Sequence, residues 1–128
     1  MINIKRSYLP PEEGDGLRIL VDRIWPRGVS KKDLKLDSLM KEIAPSSELR
    51  KWFAHDPERW DEFRNKYLGE LEDKKELIGR LKIMEKFNGT LTLIYSAKDE
   101  EHNNAVVLRE LLKKKPRVVK SYVNRTHG

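Results

Sequence analysis

The chain has 128 residues, 38% of them apolar and 38% charged, enough apolar material for one core beneath a highly charged surface. It has no cysteine, which excludes disulfides, a thiolate nucleophile and a Cys-bound metal. It also lacks an apolar run of signal-peptide or membrane-span length, so a soluble cytoplasmic protein with no membrane association is expected.

The elements follow in chain order. "MINIKR" at the start alternates apolar and polar residues and predicts a short strand. "YLPPEEGDG" is a turn-rich connection. Leu17–Ile24 is the strongest strand, and its apolar middle (Ile19, Leu20, Val21) implies cover on both faces, as in a parallel sheet. Leu34, Leu36, Leu39 and Met40 stand at roughly helical spacing within Val29–Lys41, with Asp33 or Asp37 as cap, and Pro45 stops that helix. Ser46 or Ser47 then caps a short helix carrying Leu49, Trp52 and Phe53.

"HDPERWDEF" opens the longest helix, with Asp56 as cap, Pro57 in the first position and Glu58 at the positive end of the dipole. Trp60, Phe63, Tyr67, Leu71, Ile78 and Leu81 keep to one face, Gly69 and Gly79 weaken the helix and are where a bend or break is expected, and Asn88-Gly89 ends it. "TLTLIYSA" (90–97) is a second buried strand. Asp99 and its acidic neighbours open a helix with Ala105, Leu108, Leu111 and Leu112 on its core face, Pro116 closes it, and Val118–Val123 forms a last strand. This order predicts a single α/β domain over residues 1–128, three-layered, with a small, largely parallel sheet flanked by helices.

In such sheets ligands gather beyond the carboxyl ends of the strands. Two strand ends here are polar. The first, in "VDRIWPRG", supplies Asp22, Arg23, Trp25, Arg27 and Gly28; the second supplies Tyr95, Ser96, Lys98, Asp99, His102, Asn103 and Asn104. If the two strands are parallel neighbours, these groups converge. Arg23, Arg27 and Lys98 suit an anion, since guanidinium offers paired donors to phosphate or carboxylate. Gly28 permits close backbone approach or a positive φ, and Asn103, Asn104 and Tyr95 complete the candidate ligand contacts. The opposing interpretation of Asp22 with the arginines is a structural ion pair. Trp25 and Trp60 read as core, and Tyr95 stands between core and site. A catalytic version uses His102 as acid/base, with Asp22 or Asp99 orienting it and Ser96 as nucleophile. No GxSxG, HExxH or P-loop is present. His55, Asp56 and His102 lack the close spacing of a metal set, so no metal is assigned.

The segments "VDRIWPRG", "LMKEIAPSSELRKWFAHDPERWDEFRNKY" and "LIYSAKDEEHNNAVVLRELL" resemble the YeaO-like family of uncharacterised proteins, a domain-of-unknown-function group, from about Ile4 to Leu112. The resemblance implies a similar α/β fold and no established activity. It also implies that longer relatives carry Cys and Cys-His where this chain has Tyr95 and Asn103-Asn104.

The leading functional expectation is a protein that binds an anionic small molecule, phosphorylated or nucleotide-like. A second is nucleic-acid binding. The net charge of +6 resides in the C-terminal segment: after Glu110 come Lys113, Lys114, Lys115, Arg117, Lys120 and Arg125 with no acid. These form either a phosphate-contacting arm or a helix end complementing its dipole, followed by a solvated strand. A third is a small hydrolase or transferase using His102.

Overall fold

Alternation at the start of the chain produces β1 (Ile2–Arg6), and the apolar run after the Pro- and Gly-rich turn produces β2 (Leu17–Leu20). With β3 (Ser38–Leu39) and β4 (Leu91–Tyr95) they make a wholly parallel sheet in the order β1-β4-β2-β3. The computed structural model describes residues 1–114, and the strand expected over Val118–Val123 lies outside the described residues.

The pleat sorts the side chains of the sheet. Ile2, Ile19, Val21, Leu91, Leu93 and Tyr95 face one side and join the main core. That side is covered by α2 (Ser47–Phe53), α3 (Trp60–Glu72), α4 (Lys75–Asn88) and α5 (Asn104–Lys113). Leu20 and Ile94 face the other side, under a thin cover made by the single turn α1 (Lys31–Leu34) with Leu34, Trp25, Val29 and Leu36. The fold is therefore α/β, with one thick helical layer and one slight one. The slight side also holds a buried ion cluster. Asp15 accepts from Arg18 Nη1 at 2.6 Å and from Lys5 Nζ at 3.1 Å, and Thr92 donates to the Asp15 carbonyl at 2.6 Å. Gly16 is obligatory beside it: φ is +62°, and a Cβ would lie 2.4 Å from the Thr90 carbonyl oxygen.

Four local expectations change. β2 stops at Leu20; Val21 N–H still bonds to Ile94, and Asp22 then leaves the ladder to bond elsewhere. The helix expected over Val29–Lys41 is a single turn, capped by the Ser30 side chain, not by Asp33 or Asp37. Lys35 ends it in the left-handed region, and β3 follows. Asp37 instead accepts from Arg18 N–H at 2.8 Å. The long helix does break, but at Asp73-Lys74 and not at the glycines, since Gly69 and Gly79 lie inside α3 and α4. Asn103, not Asp99, caps α5, with its side chain accepting from Val106 N–H at 3.1 Å. The expectations for Ser46, Asp56, Pro57 and Gly89 match the observed caps and ends.

Candidate functional site

The strand order creates a crevice. β2 and β4 are parallel neighbours, yet the chain leaves β2 toward α1 on the thin side and leaves β4 toward α5 on the thick side. Diverging connections at the carboxyl edge of a parallel sheet leave an opening between them. Here it is a cleft of about 700 Å3, bounded by the loop after β2, the Ala44-Pro45 turn, α2, α3 and the segment from Ser96 to Asn104.

Asp22 ties the base of this cleft. One carboxylate oxygen accepts from Ser96 N–H at 2.9 Å, and the other accepts from Asn104 Nδ2 at 3.2 Å. Asn104 also donates to the Val21 carbonyl at 2.9 Å. These bonds join the end of β2, the end of β4 and the first turn of α5. Burial raises the Asp22 pKa above its ordinary value, against the opposing pull of Asn104, Ser96 and the nearby Arg50. Asp22 forms no salt bridge with Arg23 or Arg27, so the internal ion pair is not what "VDRIWPRG" builds.

Arg23, Arg27, Arg50 and Lys98 all line the cleft, and among the described residues none is in a salt bridge. Arg23 is half-buried and makes long contacts, 3.4 Å each, to the Ala44 and Pro45 carbonyls. Arg27, Arg50 and Lys98 are exposed. The Ala44-Pro45 wall is braced from behind. Tyr67 donates to the Ile43 carbonyl at 2.6 Å, Lys74 to the Ala44 carbonyl at 3.2 Å, and Ser46 binds Glu70 through both its N–H and its hydroxyl. Complete burial pushes the Tyr67 phenol well above its usual pKa, which keeps it a donor.

On the opposite wall, His102 Nδ1 lies 2.8 Å from Asp99 Oδ2, and the imidazole stands edge-on to Trp60 at 5.2 Å. The Glu101 and His102 backbone N–H groups both bond to Asp99 Oδ1. Those amides, the Glu101 bond foremost, and His102 hold the Asp99 carboxyl below its usual pKa. A carboxylate on Nδ1 fixes the imidazole and leaves Nε2 to accept or donate a proton. The Ser96 hydroxyl pairs with Ser7 at 3.0 Å, and no hydrogen bond joins it to His102 among the described residues. The serine–histidine pairing read from the sequence is thus not formed.

Of the residues singled out in the sequence, Asp22, Arg23, Arg27, Ser96, Lys98, Asp99, His102, Asn103 and Asn104 meet in the cleft, and Trp25, read as core, lines it as well as packing on the thin side. Two stand elsewhere. Tyr95 is 2% exposed and belongs to the core, because its parity along β4 turns it to the helical face. Gly28 adopts φ +79° in an exposed turn and does not line the cleft. Asn103 is consumed by capping: besides the Val106 bond, its Nδ2 donates to the Asp99 carbonyl at 2.9 Å. Arg50 and Phe63 were missed as wall residues. Arg50 follows the capped start of α2 by one turn, so its place on that helix was readable, but not what the helix faces. His55 and Asp56 do not join His102 as metal ligands; among the described residues no three His, Cys, Asp or Glu side chains cluster in that way. Lys113 and Lys114 are exposed at the end of α5, while Lys115, Arg117, Lys120 and Arg125 lie outside the described residues.

The chain matches the family described as "Inactive DUF488-N3 subclade" over residues 1–124. The uncharacterized protein YeaO of Escherichia coli (strain K12) is 48% identical over 112 residues, which cover 88% of this chain and 96% of YeaO. The chain belongs to this YeaO-like family. An uncharacterized protein of Mycobacterium tuberculosis (strain ATCC 25618 / H37Rv) is 38% identical over 111 residues, covering 87% of this chain and 92% of that relative. No solved structure matches significantly. Where the resemblance implied Cys and Cys-His in longer relatives, this YeaO-like chain has a core tyrosine, a helix cap and an asparagine bonded to Asp22. Among its described residues no helix is long and apolar enough to cross a membrane.

Proposed function

We propose that the cleft binds a small organic anion, phosphorylated or nucleotide-like, through Arg23, Arg27, Arg50 and Lys98. The observation that carries this reading is the charge balance of the cleft wall. Four cations have no salt-bridge partner among the described residues, while Asp22 and Asp99 are engaged by amide donors or by His102. Unpaired cations beside a concave surface at a sheet switch point suit an anionic guest.

Thermal melting against inorganic phosphate, sulfate and a nucleotide series tests it. A ligand at 100 times its dissociation constant adds about 2.7 kcal/mol, roughly 10 °C for a chain of this size. Arg27 is exposed and makes no hydrogen bond among the described residues, so Arg27→Ala should melt within about 0.5 kcal/mol of the parent. It should also lose most of the anion-induced rise. Collapse of the variant without ligand, or an undiminished rise, overturns the assignment.

The Asp99–His102 bond favours a second reading, acid/base chemistry at Nε2. The family's description as inactive and the Ser7 partner of Ser96 weigh against it. A turnover whose pH profile loses one limb in His102→Gln would establish it.

A further inference from the structure

The four cations account for one end of a ligand and leave most of the cleft unexplained. A phosphate group occupies a small part of about 700 Å3. The rest of the wall carries apolar rings and aliphatic groups, with Ile24, Trp25, Pro26, Phe53 and Phe63 among them. Phe53 and Phe63 are stacked at 4.2 Å between centroids, which holds that part of the wall flat. Trp25 is pinned through its indole N–H, which donates to the Val29 carbonyl at 2.6 Å. Ile24 lines the cleft and is 55% exposed, a large aliphatic side chain left in contact with water next to Arg23 in the chain.

The chain also holds an unfavourable backbone at this rim. Ala54 and His55 are consecutive non-glycine residues at φ 48° and 58°, and His55 is exposed and lines the cleft. Left-handed L-residues are costly, and such strain concentrates at ligand sites. Ala54 is the C-cap of α2, and the turn that follows leaves the His55 ring on the cleft wall with Trp25, Phe53 and Phe63.

We infer that the cleft selects an anion carried on a flat apolar body, an aryl or nucleobase-bearing phosphate, over inorganic phosphate or a sugar phosphate. Ile24 and Trp25 form the lip that sets this preference. The inference rests on the anion reading above and names its ligand class. A sugar phosphate satisfies the guanidinium groups but sets hydroxyls against apolar carbon, where they lose water without finding partners. A planar ring removes apolar surface from water on both sides of the contact.

Calorimetric titration of the intact chain with inorganic phosphate, ribose 5-phosphate, phenyl phosphate, adenosine 5′-monophosphate and adenosine tests it. Phenyl phosphate or the nucleotide should bind about 10- to 100-fold more tightly than ribose 5-phosphate, and whichever is tighter identifies the preferred ring. Ile24→Ser, at an exposed position, should narrow that gap by weakening the ring-bearing phosphates more than ribose 5-phosphate, and an unchanged gap overturns the lip assignment. Equal affinity for ribose 5-phosphate and both ring-bearing phosphates overturns the inference and leaves the anion reading standing. Adenosine binding as tightly as its monophosphate overturns the anion reading, and no binding by any of the five overturns both.

Discussion

Arg18 and Arg27 are nine positions apart and have opposite surroundings. Arg18 is 4% exposed, spends one nitrogen on Asp15, and directs Nε and Nη2 to the Leu34 carbonyl. Arg27 stands in water at the cleft. Arg18→Ala removes one partner of a buried pair and strips the Leu34 carbonyl of two donors, so it should cost about 3 kcal/mol. That is the low end of the buried-pair range, because Lys5 still faces Asp15. Urea unfolding measures it, and a loss below about 1 kcal/mol would show that the cluster is solvated. The sequence pointed to the arginines of "VDRIWPRG" and passed over Arg18, since a charge inside an apolar strand reveals its partner only when the preceding turn folds back. Asp22 carries a pH signature of its own. Its pKa is raised on folding, so the native state binds the proton more readily than the unfolded chain. That contribution stabilises the fold at low pH and is lost as pH rises from the ordinary carboxyl value, 3.8, through the raised one. Asp22→Asn does not titrate, so its melting temperature relative to the parent should climb between pH 3 and pH 7. A difference that is flat across this range would place Asp22 in solvent.

At the scale of elements, local signals succeeded where one residue type determines one geometry. Ser46 caps α2 and Asp56 caps the 3-10 turn Pro57–Arg59 ahead of α3, as their side chains and the following proline suggested. Asp56 accepts from Glu58 N–H at 3.0 Å, so Asp56→Ala should cost about 1 kcal/mol in urea unfolding at an unchanged m-value. Full stability with loss of anion binding would instead assign Asp56 to the site. Signals failed where spacing was ambiguous. Leu34 and Leu36 pack on the thin side of the sheet, Met40 packs on the thick side, and Leu39 is exposed at the edge. Three leucines and a methionine in three different surroundings imitated one helical face and hid β3, a strand of two residues. The position of the break, at Asp73-Lys74 and not at a glycine, was hidden for the converse reason. Leu71 and Ile78 bury into the same core across it, so the helical period passes through a bend without a mark.

For the molecule as a whole, parallel strands and a polar edge were legible, but their order was not. The slot between β1 and β2 is filled by β4, more than 70 residues later in the chain, and no local pattern encodes that insertion. The convergence of the two polar strand ends depends on it, because Asp22 reaches Ser96 only if β2 and β4 are neighbours. The charge of the chain divides just as sharply. Acids and bases balance through Glu110, and the net +6 comes from the six basic residues after it. The proposed anion binding by the cleft would then be a local effect of its four cations, and any attraction to a polyanion would depend on the C-terminal basics. A chain ending at Pro116 loses Arg117, Lys120 and Arg125 and keeps every described residue of the cleft. Once circular dichroism and a cooperative melt have shown it folded, it should retain the full thermal rise with a nucleotide. Any affinity of the intact chain for a 20-nucleotide single strand should fall steeply between 50 and 200 mM salt and drop further in the shortened chain, because each lost phosphate contact removes released counterions. Fluorescence anisotropy reads the second quantity and thermal melting the first. If shortening abolishes the nucleotide effect in a folded protein, the anion site lies with the C-terminal segment and the cleft reading fails.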